Sequence, residues 1–208
     1  MFLLFGLVFS GVLAMANTTP GIKYIENKNQ WSSEIDFSAR VQGGTMFIQP
    51  GKFKYYFLYE ERMKALHGRT HERRNEADGQ LSPNEMINGH AVEVKFIGGN
   101  TKALAYAFGK SDEYYNYFVG NDPSRWASKA FAYEGLIYES LYKDVDLKLY
   151  SVAQNIKYDL IVAPYGDPSQ IVLDYNGADA LTIESGRLTV RTSLGDIIEQ
   201  EPVAFQWI

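Results

Sequence analysis

Few residues in this chain are suited to chemistry. Its 208 residues include three histidines, His67, His71 and His90, and no cysteine. His67 and His71 stand four apart, a spacing that can place two imidazoles on one helix face to bind a metal. A zinc hydrolase of that kind needs a glutamate directly after the first histidine as general base, and Gly68 stands there instead. Gly68 also weakens any helix through the pair. Two solvated histidines in a charged loop are the preferred reading, and a metal-dependent hydrolase ranks last among the functions weighed. The acidic groups Asp144/Asp146, Asp112/Glu113 and Asp122 lack a second set of oxygen ligands at calcium-loop positions. Sequence spacing alone does not bring two carboxyls to the ~5–10 Å separation that glycoside hydrolysis requires. They read as turn and surface charge. No Gly-x-Ser-x-Gly elbow is present. Gly43-Gly44 and Gly98-Gly99-Asn100 lack the strand-to-helix setting of a phosphate loop. No catalytic, cofactor-binding or metal-ligating residue is therefore assigned.

Aromatic side chains are the other candidates. Tyrosine dominates them, with 15 copies. Trp31, Tyr114, Tyr115 and Trp126 are the positions able to stack against sugar rings, with Tyr117 beside them. The competing and preferred reading is that these rings seal the edge of a β-sheet core, since tyrosine suits a half-buried pleated surface.

The elements that would position these residues are strands. Short alternating runs recur between turn signals: Ile22–Glu26, Ile35–Val41, Thr45–Gln49, Phe53–Tyr59, His90–Phe96, Ala103–Phe108 and Ala130–Tyr138. Val145, Leu147 and Leu149 alternate with Asp146, Lys148 and Tyr150. Ile156–Val162 pairs with that run as a hairpin through Ala153-Gln154-Asn155. Ile171–Leu173, Leu181–Glu184, Leu188–Arg191 and Ile197–Glu199 follow, separated by Asn176-Gly177, Ser185-Gly186 and Leu194-Gly195. The spacing predicts an all-β fold, an antiparallel β-sandwich or open barrel. Residues 60–88 break the pattern with mixed charge and little apolar periodicity, and read as one long charged surface excursion. The last residues, Pro202–Ile208, read as a strand that stops without a polar tail, which suggests the N-terminal fragment of a longer protein.

Residues 1–16 are nearly all apolar and end in Ala14-Met15-Ala16 ahead of polar Asn17, the pattern of a secretory signal peptide. No Lys or Arg precedes the apolar run. It is shorter than the ~20 residues that span a bilayer, so no permanent membrane span is expected after cleavage. Residues 17–208 then form a single β-rich domain. The net charge of -5 and the lack of a basic stripe argue against nucleic acid as a partner. The absence of cysteine fits an exported bacterial protein whose core stands without disulfides.

Several pieces together resemble a known family. They are Tyr24–Trp31, Gly44–Phe47, Val94–Asn100, Asn116–Asp122 with Trp126, Tyr142–Leu147, Lys157–Asp159, Gly166–Pro168, Tyr175–Ala178 and Pro202–Gln206. The chain resembles the N-terminal β-rich domain of unknown function of large exported Bacteroidota proteins. Those proteins often carry SBBP-type β-propeller repeats and type IX secretion or gliding-motility-associated C-terminal domains. The resemblance implies an extracellular or cell-surface β module and carries over no catalytic residues. The function expected is a non-enzymatic module at the N-terminus of a larger secreted or surface protein, serving adhesion, assembly or presentation. Its partners would be the downstream domains of the same polypeptide, with a surface glycan or protein also considered. A carbohydrate-binding module using exposed Trp and Tyr is the alternative.

Overall fold

The computed structural model describes residues 2–8, 21–58 and 89–207. His67, His71 and the expected 60–88 excursion lie outside these residues. No helix among the described residues is long and apolar enough to cross a membrane. The fold is all-β, a curled antiparallel half-barrel with a smaller sheet beside it.

Among the described residues the larger sheet has twelve strands. In chain order they are β1 (Phe2–Val8), β2 (Tyr24–Glu26), β3 (Phe37–Val41), β4 (Gly44–Gln49), β5 (Lys52–Leu58), β6 (Gly89–Phe96), β7 (Ala105–Tyr117), β8 (Ala127–Tyr142), β9 (Val145–Val152), β10 (Asn155–Val162), β11 (Leu173–Asn176) and, last in the chain, β15 (Val203–Trp207). The smaller sheet contains β12 (Ala180–Glu184), β13 (Arg187–Thr192) and β14 (Gly195–Glu199). The strand β1 falls inside the segment whose sequence reads as a leader, and it pairs with both β10 and β15.

The sixteen-residue β8 is the spine. One of its edges is taken by β7. The other is shared end to end by β2, at Ala132 and Tyr133, and by β9, from Gly135 to Tyr142. Two wings leave this shared edge. One runs β2-β3-β4-β5-β6-β11, the other β9-β10-β1-β15. They close on a common core in which Tyr158 of β10 packs edge-on against Phe53 of β5 and Phe96 of β6, with ring centroids 5.9 and 6.3 Å apart.

Period-two alternation explains which residues line that core. Met46 and Ile48, Phe53 and Tyr55, Val92, Val94 and Phe96, and Val145, Leu147 and Leu149 are all buried, while the residues between the members of each set are half-buried or exposed. The small sheet contributes Val190 and Ile197 to the same cluster. Its first hairpin turns on Ser185 and Gly186, both at positive φ (50° and 77°), which matches the twist of a two-residue β-hairpin. Gly135 serves a different need. A Cβ there would lie 2.2 Å from the Phe108 ring and 2.5 Å from the Leu149 carbonyl oxygen, so only glycine lets β7, β8 and β9 approach at this point.

Candidate functional site

The four positions considered for glycan stacking do not form one surface. Tyr114 and Tyr115 are successive residues of β7, paired with Phe131 and Ala130, and so point to opposite faces. They are 50% and 40% exposed. Tyr114 packs against Phe131, over whose ring the Lys110 ammonium sits at 3.5 Å. Trp126 stands at the tip of the β7–β8 hairpin, 43% exposed, edge-on to Phe118, with its indole N–H donating to the Gly120 carbonyl at 3.2 Å.

Trp31 is half-buried at the centre of a different group. Its ring meets Tyr117 at 5.3 Å and Phe47 at 5.6 Å, and Phe47 meets Tyr56 at 5.6 Å, with interplanar angles of 66°, 72° and 77°. A sugar platform needs rings lying in one plane in the open. Here the rings stand edge to face and use each other as partners, the geometry of packing.

The loop carrying Trp31 shows how the sequence builds this arrangement. Asn27 donates from Nδ2 to the Ser32 and Ile35 carbonyls, and its Oδ1 accepts from the backbone N–H groups of Asn29 and Trp31. Gln30 accepts from the Lys28 N–H and donates to the Glu26 carbonyl. Glu26 then accepts from the Phe131 N–H and the Tyr133 hydroxyl across the sheet. The side chains of Glu26, Asn27 and Gln30 are thus occupied by backbone and sheet partners.

The acidic residues resolve in the same way. Asp122 and Asp167 each precede Pro-Ser and accept from the serine N–H two residues on, at 3.0 and 2.9 Å, starting short 3-10 turns. Hydrogen bonds from the Ser124 and Ser169 hydroxyls, and then from these N–H groups, hold both carboxyls below the usual range. Asp146 accepts from the Ser140 N–H at 2.7 Å, and Asp144 sits in the β8–β9 turn at φ 61°. No group of three or more His, Asp or Glu suited to a metal exists among the described residues.

Two constellations escaped the sequence reading. The first is a buried acid held by phenols. Glu199, 3% exposed, accepts from Tyr175 at 2.7 Å and from Tyr158 at 3.1 Å. Burial raises its pKa, and the two phenol hydrogen bonds oppose that rise. Burial and this carboxyl push the Tyr158 and Tyr175 hydroxyls well up, and likewise that of Tyr55. A cleft of about 220 Å³ lies beside it, lined in part by Tyr55, Phe57, Ile156 and Ile197. A buried carboxyl with a raised pKa is a common mark of acid–base catalysis. Here both oxygens are engaged by tyrosines that join the small sheet to β10 and β11, so the group works as a tie between sheets.

The second is His90 on β6. Its Nδ1 lies 2.9 Å from the Ser193 hydroxyl and its Nε2 lies 2.7 Å from the Gly177 carbonyl. The carbonyl has no proton to give, so Nε2–H donates to it and Nδ1 accepts from Ser193. The Ser193 backbone N–H also reaches Nδ1, at 3.3 Å. The imidazole clips the β11–β12 connection and the β13–β14 turn onto the main sheet. Neither constellation has a signal in the sequence, because 103 residues separate His90 from Ser193 and 41 separate Tyr158 from Glu199.

The family model for a domain of unknown function, DUF7948, matches residues 24–208. No curated protein and no solved structure matches the chain.

Proposed function

The chain belongs to this DUF7948 family of domains of unknown function, and we propose that it is a non-enzymatic module, exported and carried at the N-terminus of a larger bacterial surface or secreted protein. In this reading the leader of residues 1–16 is removed. The rest serves adhesion, assembly or presentation in a polypeptide of the SBBP-propeller, type IX-sorted kind found in Bacteroidota. The observation that carries the proposal is the fate of the reactive-looking side chains. Trp31 is used in edge-to-face packing, Asp122 and Asp167 cap turns, and Glu199 is held by two tyrosines.

The competing carbohydrate reading draws on Tyr114, Tyr115 and Trp126, which are exposed, though Tyr114 and Tyr115 point to opposite faces of β7 and Trp126 packs edge-on to Phe118. Titrating the protein with a panel of bacterial and host glycans, followed by tryptophan fluorescence, separates the two. The module reading expects no saturable change. A saturable change lost in Trp126→Ala would replace it with a carbohydrate-binding module.

A further inference from the structure

The strands β10 and β15 are neighbours only through β1, which lies between them antiparallel to both. Its register sets Leu3, Phe5 and Leu7 opposite Val162, Leu160 and Tyr158, three residues buried on the core side of β10. The same register sets Leu3 and Phe5 opposite Gln206 and Ala204 of β15. Taking β1 away would leave a gap of about 10 Å, two strand spacings, bordered on both sides by unpaired backbone N–H and C=O groups. Such a gap admits one extended strand.

The segment filling the gap is the one that the sequence marks for removal. One buried polar group of β15 lacks a partner among the described residues. The side-chain Nε2 of Gln206 is buried and has no hydrogen-bond partner among the described residues. The residue opposite it is Leu3, and leucine offers no acceptor. A buried amide without a partner is rare in native packing, and an acceptor side chain at that position would satisfy it.

We propose that the gap between β10 and β15 is a strand-acceptor site, completed after loss of Phe2–Val8 by an extended strand from a polypeptide that this protein assembles with. That strand runs antiparallel to both neighbours. It carries apolar residues opposite Leu160 and Tyr158, and a side chain with a hydrogen-bond acceptor opposite Gln206. Main-chain pairing supplies the attachment, and the alternating face supplies the selectivity. The inference rests on the reading of residues 1–16 as a leader that export removes.

The test uses the whole chain with a protease-cleavage sequence inserted after Ala16, cut once the protein has folded. Fluorescent peptides reproducing Phe2–Val8, with lysines added at both ends, are then offered to the cut and uncut forms. Fluorescence anisotropy follows uptake, and amide hydrogen exchange follows Asn155–Val162 and Val203–Trp207. The site predicts saturable one-to-one uptake by the cut protein and at least about tenfold weaker uptake by the uncut protein. A peptide carrying Phe5→Pro loses binding to a similar degree, because proline removes a ladder donor. A peptide carrying Leu3→Asn binds about fivefold tighter, the worth of one added hydrogen bond.

No exchange into a cut protein that keeps its circular dichroism would overturn the proposal. So would equal uptake of the proline peptide, or filling of the gap by a second copy, seen as a dimer on size-exclusion chromatography. N-terminal sequencing of the protein recovered after export tests the premise separately. A mature chain beginning at Met1 would remove the premise, while the peptide titration decides the slot itself.

Discussion

At the scale of single residues, the unusual feature is a carboxyl placed where water does not reach. Glu199 has its pKa raised by burial, so the folded protein binds this proton more tightly than the unfolded chain does. The sign of the pH dependence follows from that inequality. Below the ordinary glutamate range both states hold the proton and stability is unaffected. As pH rises from there to the folded-state pKa, the unfolded chain releases its proton first and stability falls. Asp36 and Asp159 are raised by burial as well and add to the same trend. Replacing Glu199 with glutamine keeps an acceptor for one tyrosine and removes the titration. Thermal unfolding of Glu199→Gln across pH 4 to 8 should therefore decline less steeply than the parent on the rise from acid to neutral pH. Parallel curves for the two proteins would show that Glu199 is not the buried acid the geometry describes. None of this was legible in the chain, where Glu199 is one acidic residue at the end of a short alternating run.

At the scale of elements, most strands were legible, because alternation of apolar and polar residues survives folding wherever one face is buried. The hairpin of β9 and β10 follows the sequence closely, with Val145, Leu147 and Leu149 inward and a turn at Ala153-Gln154. Several elements differ in extent from their reading in sequence, β8 among them, which reads as Ala130–Tyr138 but runs from Ala127 to Tyr142. The candidate at Ala103–Phe108 is the beginning of β7, which runs on to Tyr117 through two register shifts opposite β8. Those irregularities break the alternation that would have marked its length. Ile171–Leu173 read as a strand, but Pro168–Gln170 forms a 3-10 turn and pairing begins only at Leu173. Gly135 is not legible in the sequence, because glycine inside an alternating run carries no local sign of what lies above it. Gly135→Ala would press a methyl group against Phe108 and the Leu149 carbonyl, and backbone cannot move aside as a side chain can. Denaturant unfolding should show a loss of about 1–3 kcal/mol. An unchanged midpoint would mean that β7, β8 and β9 approach less closely than described.

At the scale of the whole molecule, the all-β class and the open-barrel option followed from regular strand spacing, while the pairing of distant strands did not. Nothing local in Tyr24 or Ile25 names Tyr133 and Ala132 as partners, and nothing in β11 names β6. The two wings are joined through such distant contacts, and the aromatic residues lie across the joins. Trp31 is the clearest case. It follows β2 in sequence, and its ring touches Phe47 on β4 and Tyr117 at the end of β7, so it fastens the β7–β8 hairpin to one wing. A half-buried ring in that position should contribute about 2 kcal/mol, less than a fully buried tryptophan.

If these aromatic positions hold the fold and do not present a ligand surface, thermal unfolding of Trp31→Ala registers the loss. For a domain of this size the melting temperature should fall by about 4–8 °C. A variant that melts with the parent would contradict that role in the fold, since that is the behaviour of a tryptophan kept for binding.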